Sequence, residues 1–196
     1  MSADLKINSE KTSIVVIDLQ KGISSIPTEP HPAEVVIANT AQLLAAGRKN
    51  NMPVFLVHVT PSPDLKDALR PVSETSFPIS AFNPEWGAFV PELNIQPGDF
   101  LITKHQWGAF YGTELDLQLR RRGINTIILC GISTNFGVES TARYAYELGY
   151  NQIFVEDAMS ARSKEEHEHS IKYIFPRLGL IRKTADVLKA LKLTIN

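Results

Sequence analysis

Short apolar runs rich in β-branched residues recur along this chain with helix-like segments between them, and this alternation constrains the fold most. Ser13 to Leu19 is a largely apolar run without polar–apolar alternation, which is typical of a strand buried on both faces. We predict further strands at four runs of similar length and at one shorter run: Val54 to Val59, Phe100 to Thr103, Thr126 to Cys130, Ile153 to Val155, and Leu180 to Ile181.

The segments between these runs have the periodicity or the capping signals of helices. In Ala33 to Lys49 the apolar residues fall on one face. The segment that starts at Thr113 has a cap of the form Thr-Glu-Leu-Asp and stops at Gly123. Because crossovers between parallel strands are nearly always right-handed, this order predicts a three-layer α/β/α fold with a mostly parallel, six-stranded, Rossmann-like sheet. The other predicted helices are Asn135 to Leu148, Lys164 to Ile174, and Thr184 to Leu191.

Length and composition are those of one globular domain with a small-molecule partner. At 196 residues the chain is long enough for one core, so we treat residues 1–196 as a single domain. The net charge of −1 gives no global field that would favour nucleic acid or an acidic membrane. No apolar run approaches the roughly 18 residues of a membrane span. A polar start, Met1 to Lys6, and a single cysteine, Cys130, favour the cytoplasm.

Two charged residues stand at predicted strand ends, where ligands bind in open α/β sheets. Asp18 interrupts an apolar run, and a buried carboxylate is costly unless it is paired or hydrogen-bonded. Lys104 ends the third strand and could lower the pKa of Asp18 or hold an anionic substrate. Each also has a structural interpretation, since Asp18 could cap a loop and Lys104 could be a solvated charge. Glu156 and Asp157, after the fifth predicted strand, could face the same cleft.

The loop from Gly131 to Val138 enters a predicted helix whose first amides could bind an anion or a carbonyl oxygen. An ordinary glycine turn followed by a Thr or Asn cap is the alternative interpretation. Three aromatic residues after Lys104, Trp107, Phe110 and Tyr111, could line a pocket for a small flat substrate, or pack in the core or against another subunit. The substrate-binding candidates are therefore Ser133, Thr134, Asn135, Phe136, Trp107 and Tyr111.

The sequence lacks the common motifs for binding phosphate groups or metal ions. The chain has neither a Gly-x-Gly-x-x-Gly nor a Gly-Lys-Ser/Thr sequence. His167 and His169 are two residues apart on a predicted helix, so they point to different faces and do not suit joint metal ligation. We expect no metal and no cofactor.

Three motifs together resemble the isochorismatase-like hydrolases. They are the strand Val-Val-Ile-Asp-Leu-Gln that contains Asp18, the strand-end Lys104, and the sequence Cys-Gly-Ile-Ser-Thr-Asn-Phe-Gly-Val-Glu-Ser-Thr-Ala-Arg that starts at Cys130. The resemblance spans residues 11 to 190 and implies an isochorismatase-type fold, dimers or tetramers, and a cis peptide bond before Ser133. Most members of this family are cysteine hydrolases of small amides that use an Asp, a Lys and a Cys. Asp18 and Lys104 match the first two.

The third residue of that set is absent, because Gly137 stands where the family carries its cysteine. Cys130, at the end of an apolar strand, is expected to be a buried core thiol. Without a thiolate the amidase chemistry loses its nucleophile. Isochorismatases proper also carry glycine here, and the resemblance implies vinyl-ether hydrolysis of a small carboxylate-bearing molecule with Asp18 as the acid. Burial must then offset the effect of Lys104 on the pKa of Asp18, and Gly137 would leave room for the substrate. The alternative is an inactive small-molecule-binding or scaffold protein.

Overall fold

The computed structural model describes residues 5–75 and 84–192, and it contains one six-stranded parallel sheet. The strand order is β3-β2-β1-β4-β5-β6, so the order reverses between β1 and β4. Ligands of open α/β sheets bind beyond the carboxyl ends of the strands at such a reversal. The strands are β1 (Thr12–Ile17), β2 (Val54–Val59), β3 (Phe100–Lys104), β4 (Thr126–Ile132), β5 (Asn151–Ser160) and β6 (Leu180–Arg182).

Helices cover both faces of the sheet, which gives two hydrophobic cores. Successive residues of β1 point to opposite faces, so Ile14 and Val16 pack in one core and Val15 and Ile17 in the other. The predicted three-layer α/β/α fold is therefore confirmed, and all of the strand pairs are parallel. The helices are α1 (Lys21–Ser24), α2 (Ala33–Lys49), α3 (Pro84–Gly87), α4 (Leu115–Arg121), α5 (Glu139–Glu147), α6 (Lys164–His169) and α7 (Thr184–Lys192).

Two of the predicted α-helices are each partly replaced by a π-helical turn. Thr134–Val138 forms a π turn immediately before α5, and Ser170–Ile174 forms another immediately after α6. Within the described residues, no helix is long and apolar enough to cross a membrane.

Two local predictions were wrong. The helix expected from Thr113 begins at Leu115, and the Thr113 hydroxyl accepts a hydrogen bond from the Leu115 amide (3.2 Å) without forming a capping box. The fifth strand does not end at Val155, because a bulge opposite Leu129 to Gly131 lets β5 continue to Ser160. Asp157, at that bulge, accepts hydrogen bonds from the amide and the hydroxyl of Thr184 at the start of α7 (2.7 and 2.8 Å), so its carboxylate caps a helix.

Candidate active site

Asp18 and Lys104 form a buried ion pair at the carboxyl end of the sheet. Asp18 directly follows β1, and its backbone has φ +54°, a left-handed conformation that is uncommon outside glycine. Lys104 is the last residue of β3, so its side chain crosses the intervening strand β2 to reach Asp18. The Lys104 Nζ lies 2.8 Å from Asp18 Oδ2, with side-chain exposures of 0% and 6%. The solvated-charge interpretation of Lys104 is therefore excluded.

The two carboxylate oxygens of Asp18 have different surroundings. Oδ2 accepts from Lys104, whose Nζ also donates to the carbonyl oxygen of Trp107. Oδ1 is buried and makes no hydrogen bond of standard geometry among the described residues, although the nearby backbone N–H of Val59 lowers the pKa of Asp18 by a small amount. Burial raises the pKa of Asp18 above the ordinary value of 3.8, because the loss of water destabilises the carboxylate more than Lys104 stabilises it. His58 lowers the pKa of Asp18 by a smaller amount.

The loop between β4 and α5 approaches this ion pair. Gly131 has φ +125°, and a Cβ atom there would lie 2.0 Å from the backbone oxygen of Ile17, so only glycine fits. The peptide bond between Ile132 and Ser133 is cis, as the family resemblance implies. The following π turn places the buried Gly137 beside the carboxylate of Asp18 and the ammonium of Lys104.

Space at position 137 is filled by neighbouring side chains. A Cβ atom built on Gly137 would lie 2.8 Å from Asp18 Oδ2, 2.8 Å from Ile17 Cγ2 and 3.1 Å from Lys104 Nζ. The first two distances are shorter than real Cβ contacts. The space that a side chain at position 137 would need is therefore occupied by the ion pair and the Ile17 methyl group. The sequence had suggested that the substrate would use this space.

The loop residues expected to bind substrate differ in their surroundings. The Ser133 carbonyl oxygen accepts from the amides of Phe136 and Val138 (both 3.2 Å), so these two amides are already engaged. Asn135 Oδ1 is buried and has no hydrogen-bond partner among the described residues. Thr134 is fully buried, and its hydroxyl lies 2.9 Å from His167 Nδ1 on α6.

Two aromatic side chains lie next to each other beside Lys104. The ring of Trp107, which is 59% exposed, lies 4.8 Å from the ring of Phe136 in a tilted arrangement. Because the Trp107 carbonyl oxygen accepts from Lys104, this aromatic pair adjoins the ion pair. Tyr111 is 71% exposed, and its carbonyl oxygen accepts from Gln106, so it belongs to the same loop with its side chain in solvent.

Sequence reasoning missed two polar residues that hold the site together. The Thr141 hydroxyl donates to the Gly137 carbonyl oxygen (2.7 Å) and accepts from the Ala109 amide (3.1 Å), so it joins the glycine to the loop that follows Lys104. The fully buried Gln20 donates to the carbonyl oxygen of Val59 (3.0 Å) and accepts from its amide (2.9 Å), which joins the ends of β1 and β2. A threonine four residues after Gly137 on the predicted helix was the available signal for Thr141.

Cys130 is a core thiol. It is fully buried, and the hydroxyl of Thr40 lies 3.8 Å from its sulfur. Burial raises the pKa of the Cys130 thiol to about 12, so the thiolate is scarce at neutral pH. This confirms the sequence-based interpretation.

The other histidines, acidic residues and grooves within the described ranges do not form a second candidate active site. No group of three His, Cys, Asp or Glu side chains there could hold a metal ion. His167 is buried whereas His169 is exposed, as their spacing predicted. An open groove of about 600 Å³ lies at the opposite, amino-terminal edge of the sheet, lined in part by Arg48 and Asp99. These two side chains form an ion pair with each other at 2.6 Å. We therefore take the edge of the sheet that carries Asp18 and Lys104, and not this groove, as the candidate active site.

The parallel α/β sheet carries its Asp–Lys pair at the strand-order reversal, as the resemblance to the isochorismatase-like hydrolases implies, and the sequence comparisons agree with that class. Residues 12–186 match the isochorismatase domain, so the chain belongs to the isochorismatase family. It is 50% identical over 196 residues to YwoC of Bacillus subtilis, an uncharacterized isochorismatase family protein (98% of this chain, 100% of YwoC). It is 48% identical over 187 residues to YecD of Escherichia coli, also an uncharacterized family member (95% of this chain, 100% of YecD).

A solved structure has the same fold over nearly its whole length. An isochorismatase family protein from Burkholderia thailandensis superposes with a TM-score of 0.88 and 48% sequence identity, covering 95% of this chain and 98% of that one. The family and the isochorismatase-type fold that the three sequence motifs implied are therefore confirmed.

Proposed function

We propose that this protein hydrolyses a vinyl ether in a small carboxylate-bearing molecule, with Asp18 as general acid and base and without a cysteine nucleophile. The observation that carries the proposal is the state of Asp18. Its Oδ2 is held by Lys104, while its Oδ1 is buried and makes no hydrogen bond of standard geometry among the described residues, so Oδ1 is the oxygen that we assign to proton transfer. This arrangement supports proton transfer more than it supports nucleophilic attack.

The raised pKa of Asp18 fits the acid role. An acid transfers protons efficiently near neutral pH when its pKa lies above the ordinary aspartate range. Desolvation raises the pKa of Asp18, and Lys104 opposes that effect without reversing its direction. The direction of this shift supports the proposed acid role.

The chemical steps balance with one catalytic carboxyl group and one water molecule. Asp18 protonates the terminal vinyl carbon, which leaves an oxocarbenium ion at the ether carbon. Water adds to that carbon, and its proton returns to the Asp18 carboxylate. The resulting hemiketal breaks its bond to the ether oxygen while its hydroxyl proton is transferred to that oxygen, and the products are a keto acid and an alcohol. No step needs an enzyme thiol or an external oxidant.

The surroundings of Asp18 are also suited to a small flat anion. The ammonium of Lys104 carries three N–H donors, and Asp18 and the Trp107 carbonyl oxygen use two of them. We assign the third to a substrate carboxylate that reaches this buried ammonium. The tilted rings of Trp107 and Phe136 offer an apolar face beside it.

Binding without catalysis is the second candidate function. It is favoured by the absence of a nucleophile at Gly137 and by the Ser133 carbonyl oxygen, which occupies the amides of Phe136 and Val138. A protein of this kind would keep the fold and the Asp18–Lys104 pair and bind a ligand there without turning it over.

An assay of purified protein on isochorismate, other vinyl ethers, amides and ureido acids separates these functions. We expect release of a keto acid from the vinyl ether and a loss of at least about 100-fold in kcat in Asp18→Asn, because general acid–base catalysis contributes about 10²–10⁴-fold. Asp116→Asn, a partly exposed aspartate on α4, is the matched control and should retain activity. Activity that survives Asp18→Asn would exclude the acid mechanism. Ligand-dependent thermal stabilisation without turnover would support the binding function.

A further inference from the structure

A buried histidine lies behind the loop that carries Gly137. His167 is 4% exposed and belongs to α6. A capping box fixes the start of this helix: the Glu166 amide donates to Ser163 Oγ (3.3 Å), and the Ser163 amide donates to Glu166 Oε2 (3.0 Å). The cap sets the helical register, so His167 faces inward while His169 faces solvent.

His167 contacts the first residue of the π turn. Its Nδ1 lies 2.9 Å from the hydroxyl of Thr134, and Thr134 is fully buried. Thr134 begins the turn Thr134–Val138 and stands three residues before Gly137. The Gly137 backbone packs so closely on Asp18 that an added Cβ atom would lie 2.8 Å from Oδ2. A small displacement of this turn would therefore open or close the surface over the carboxylate.

The imidazole of His167 has few charged neighbours. Burial, followed by the charge of His31, lowers the pKa of His167 to about 4, and Glu168 has a smaller opposing effect. The rings of His31 and His167 meet edge to face at 5.7 Å. The imidazole is consequently neutral at pH 7, and it can hydrogen-bond Thr134 without adding a charge near the ion pair.

We propose that His167 is a positioning residue of the active site: through Thr134 it holds the loop from Ser133 to Gly137 against the Asp18–Lys104 ion pair and keeps water from Asp18. This inference builds on the proposed role of Asp18 as the reacting acid. His167 itself touches neither the substrate nor the ion pair. A buried histidine that only fills the core would stabilise the fold without affecting the titration of Asp18.

The test measures the titration of Asp18 in variants that break the contact. Thr134→Val removes the hydroxyl with little change in shape, and His167→Leu removes the imidazole. His167→Asn restores an amide near the place of Nδ1. The matched control is Ser170→Ala, because Ser170 Oγ donates to Glu139 Oε2 (2.6 Å) and joins the turn after α6 to α5 beyond Gly137. The pKa of Asp18 is read by carbon-13 NMR of its carboxyl group, and the pH profile of kcat/KM is read in parallel.

We expect both Thr134→Val and His167→Leu to lower the pKa of Asp18 by about one unit, because water that reaches the carboxylate reduces its desolvation. His58 and Lys104, the titratable groups that act on Asp18, are the same in every variant. His167→Asn should recover at least half of the shift, and Ser170→Ala should leave the pKa of Asp18 unchanged. The double variant Thr134→Val/His167→Leu should shift the pKa no further than either single variant, because both remove one contact.

Thermal unfolding measured on the same samples distinguishes positioning from packing. If Thr134→Val and His167→Leu lower the melting temperature while Asp18 titrates as in the wild type, the positioning role is wrong. Equal shifts in Ser170→Ala would also overturn it. The NMR titration does not require turnover. A failure to find vinyl-ether activity would therefore contradict the proposed function, whereas the positioning role of His167 is tested separately by the pKa of Asp18.

Discussion

Replacement of Gly137 by alanine should push Asp18 away from Lys104. The added Cβ atom would meet Asp18 Oδ2 and Ile17 Cγ2, both at 2.8 Å. Non-bonded carbon contacts are favourable near 3.5–4.0 Å, so one or more of these groups must move by at least about 0.7 Å. Neither group has space to move into easily, because Ile17 and Lys104 are fully buried and Asp18 is 4% exposed.

The expected cost of this substitution is that of overpacking a buried site, about 1–3 kcal/mol. A domain of this size loses about 2–4 °C in Tm for each kcal/mol, so the Tm of Gly137→Ala should fall by about 2–12 °C. The pKa of Asp18 should change at the same time, because its distance to Lys104 changes.

Thermal unfolding and NMR titration of Gly137→Ala test this expectation against a control glycine. Gly98 is exposed and has no atom within 4 Å of an added Cβ, so Gly98→Ala should leave both the Tm and the pKa of Asp18 unchanged. A Gly137→Ala protein with the Tm of Gly98→Ala and an unmoved Asp18 pKa would refute the close packing described above.

Four further predictions follow from the buried groups. Lys104→Met should raise the pKa of Asp18 further and cost about 3–5 kcal/mol of stability where Asp18 is ionised, with a smaller cost as the pH falls and Asp18 becomes protonated, since a protonated Asp18 needs no cation; urea unfolding over a pH series measures this difference. Because the folded-state pKa of His167 is lowered to about 4, stability should fall as the pH drops from about 6.5 towards 4, and His167→Leu should abolish that part of the pH dependence of urea unfolding. Iodoacetamide should label Cys130 only in denaturant, because burial raises the pKa of its thiol to about 12; mass spectrometry of the native protein checks this. Gly137→Cys should not gain amidase activity, because its Cβ would displace Asp18; hydrolysis of an amide by that variant would contradict this expectation.

Much of the fold could be predicted because the four inner strands, β1, β2, β4 and β5, are largely buried on both faces. The apolar runs located five of the six strands to within two residues at each end, and α2 was predicted with both of its observed ends, Ala33–Lys49. The carboxyl end of β5 was missed because Glu156 and Asp157 interrupt the apolar pattern at a bulge, where polar groups can leave the sheet. The start of α4 was missed because the side chain of Thr113 bonds locally without becoming the N-cap residue.

The candidate site could be predicted only in part. The carboxyl ends of parallel strands lie at one edge of the sheet, so the sequence predicted that Asp18 and Lys104 would be near each other. The direct contact, in which the Lys104 side chain extends across β2, depends on the strand order, which the sequence alone does not determine. The contact between Thr134 and His167 joins residues 33 positions apart and leaves no periodic signal. The Ser133 carbonyl oxygen accepts two amide hydrogen bonds because the following residues form a π turn. The helix propensities of these residues do not distinguish a π turn from an α-helix.

Direct titration of Asp18, combined with the pH dependence of vinyl-ether hydrolysis, is the sharpest test of the acid mechanism. We predict that the carboxyl group of Asp18 titrates above the ordinary value of 3.8 and that kcat/KM falls as the pH rises through that same pKa, because the protonated form is the reactive one. An Asp18 that titrates at or below 3.8, or a rate that does not fall with the deprotonation of Asp18, would contradict the mechanism.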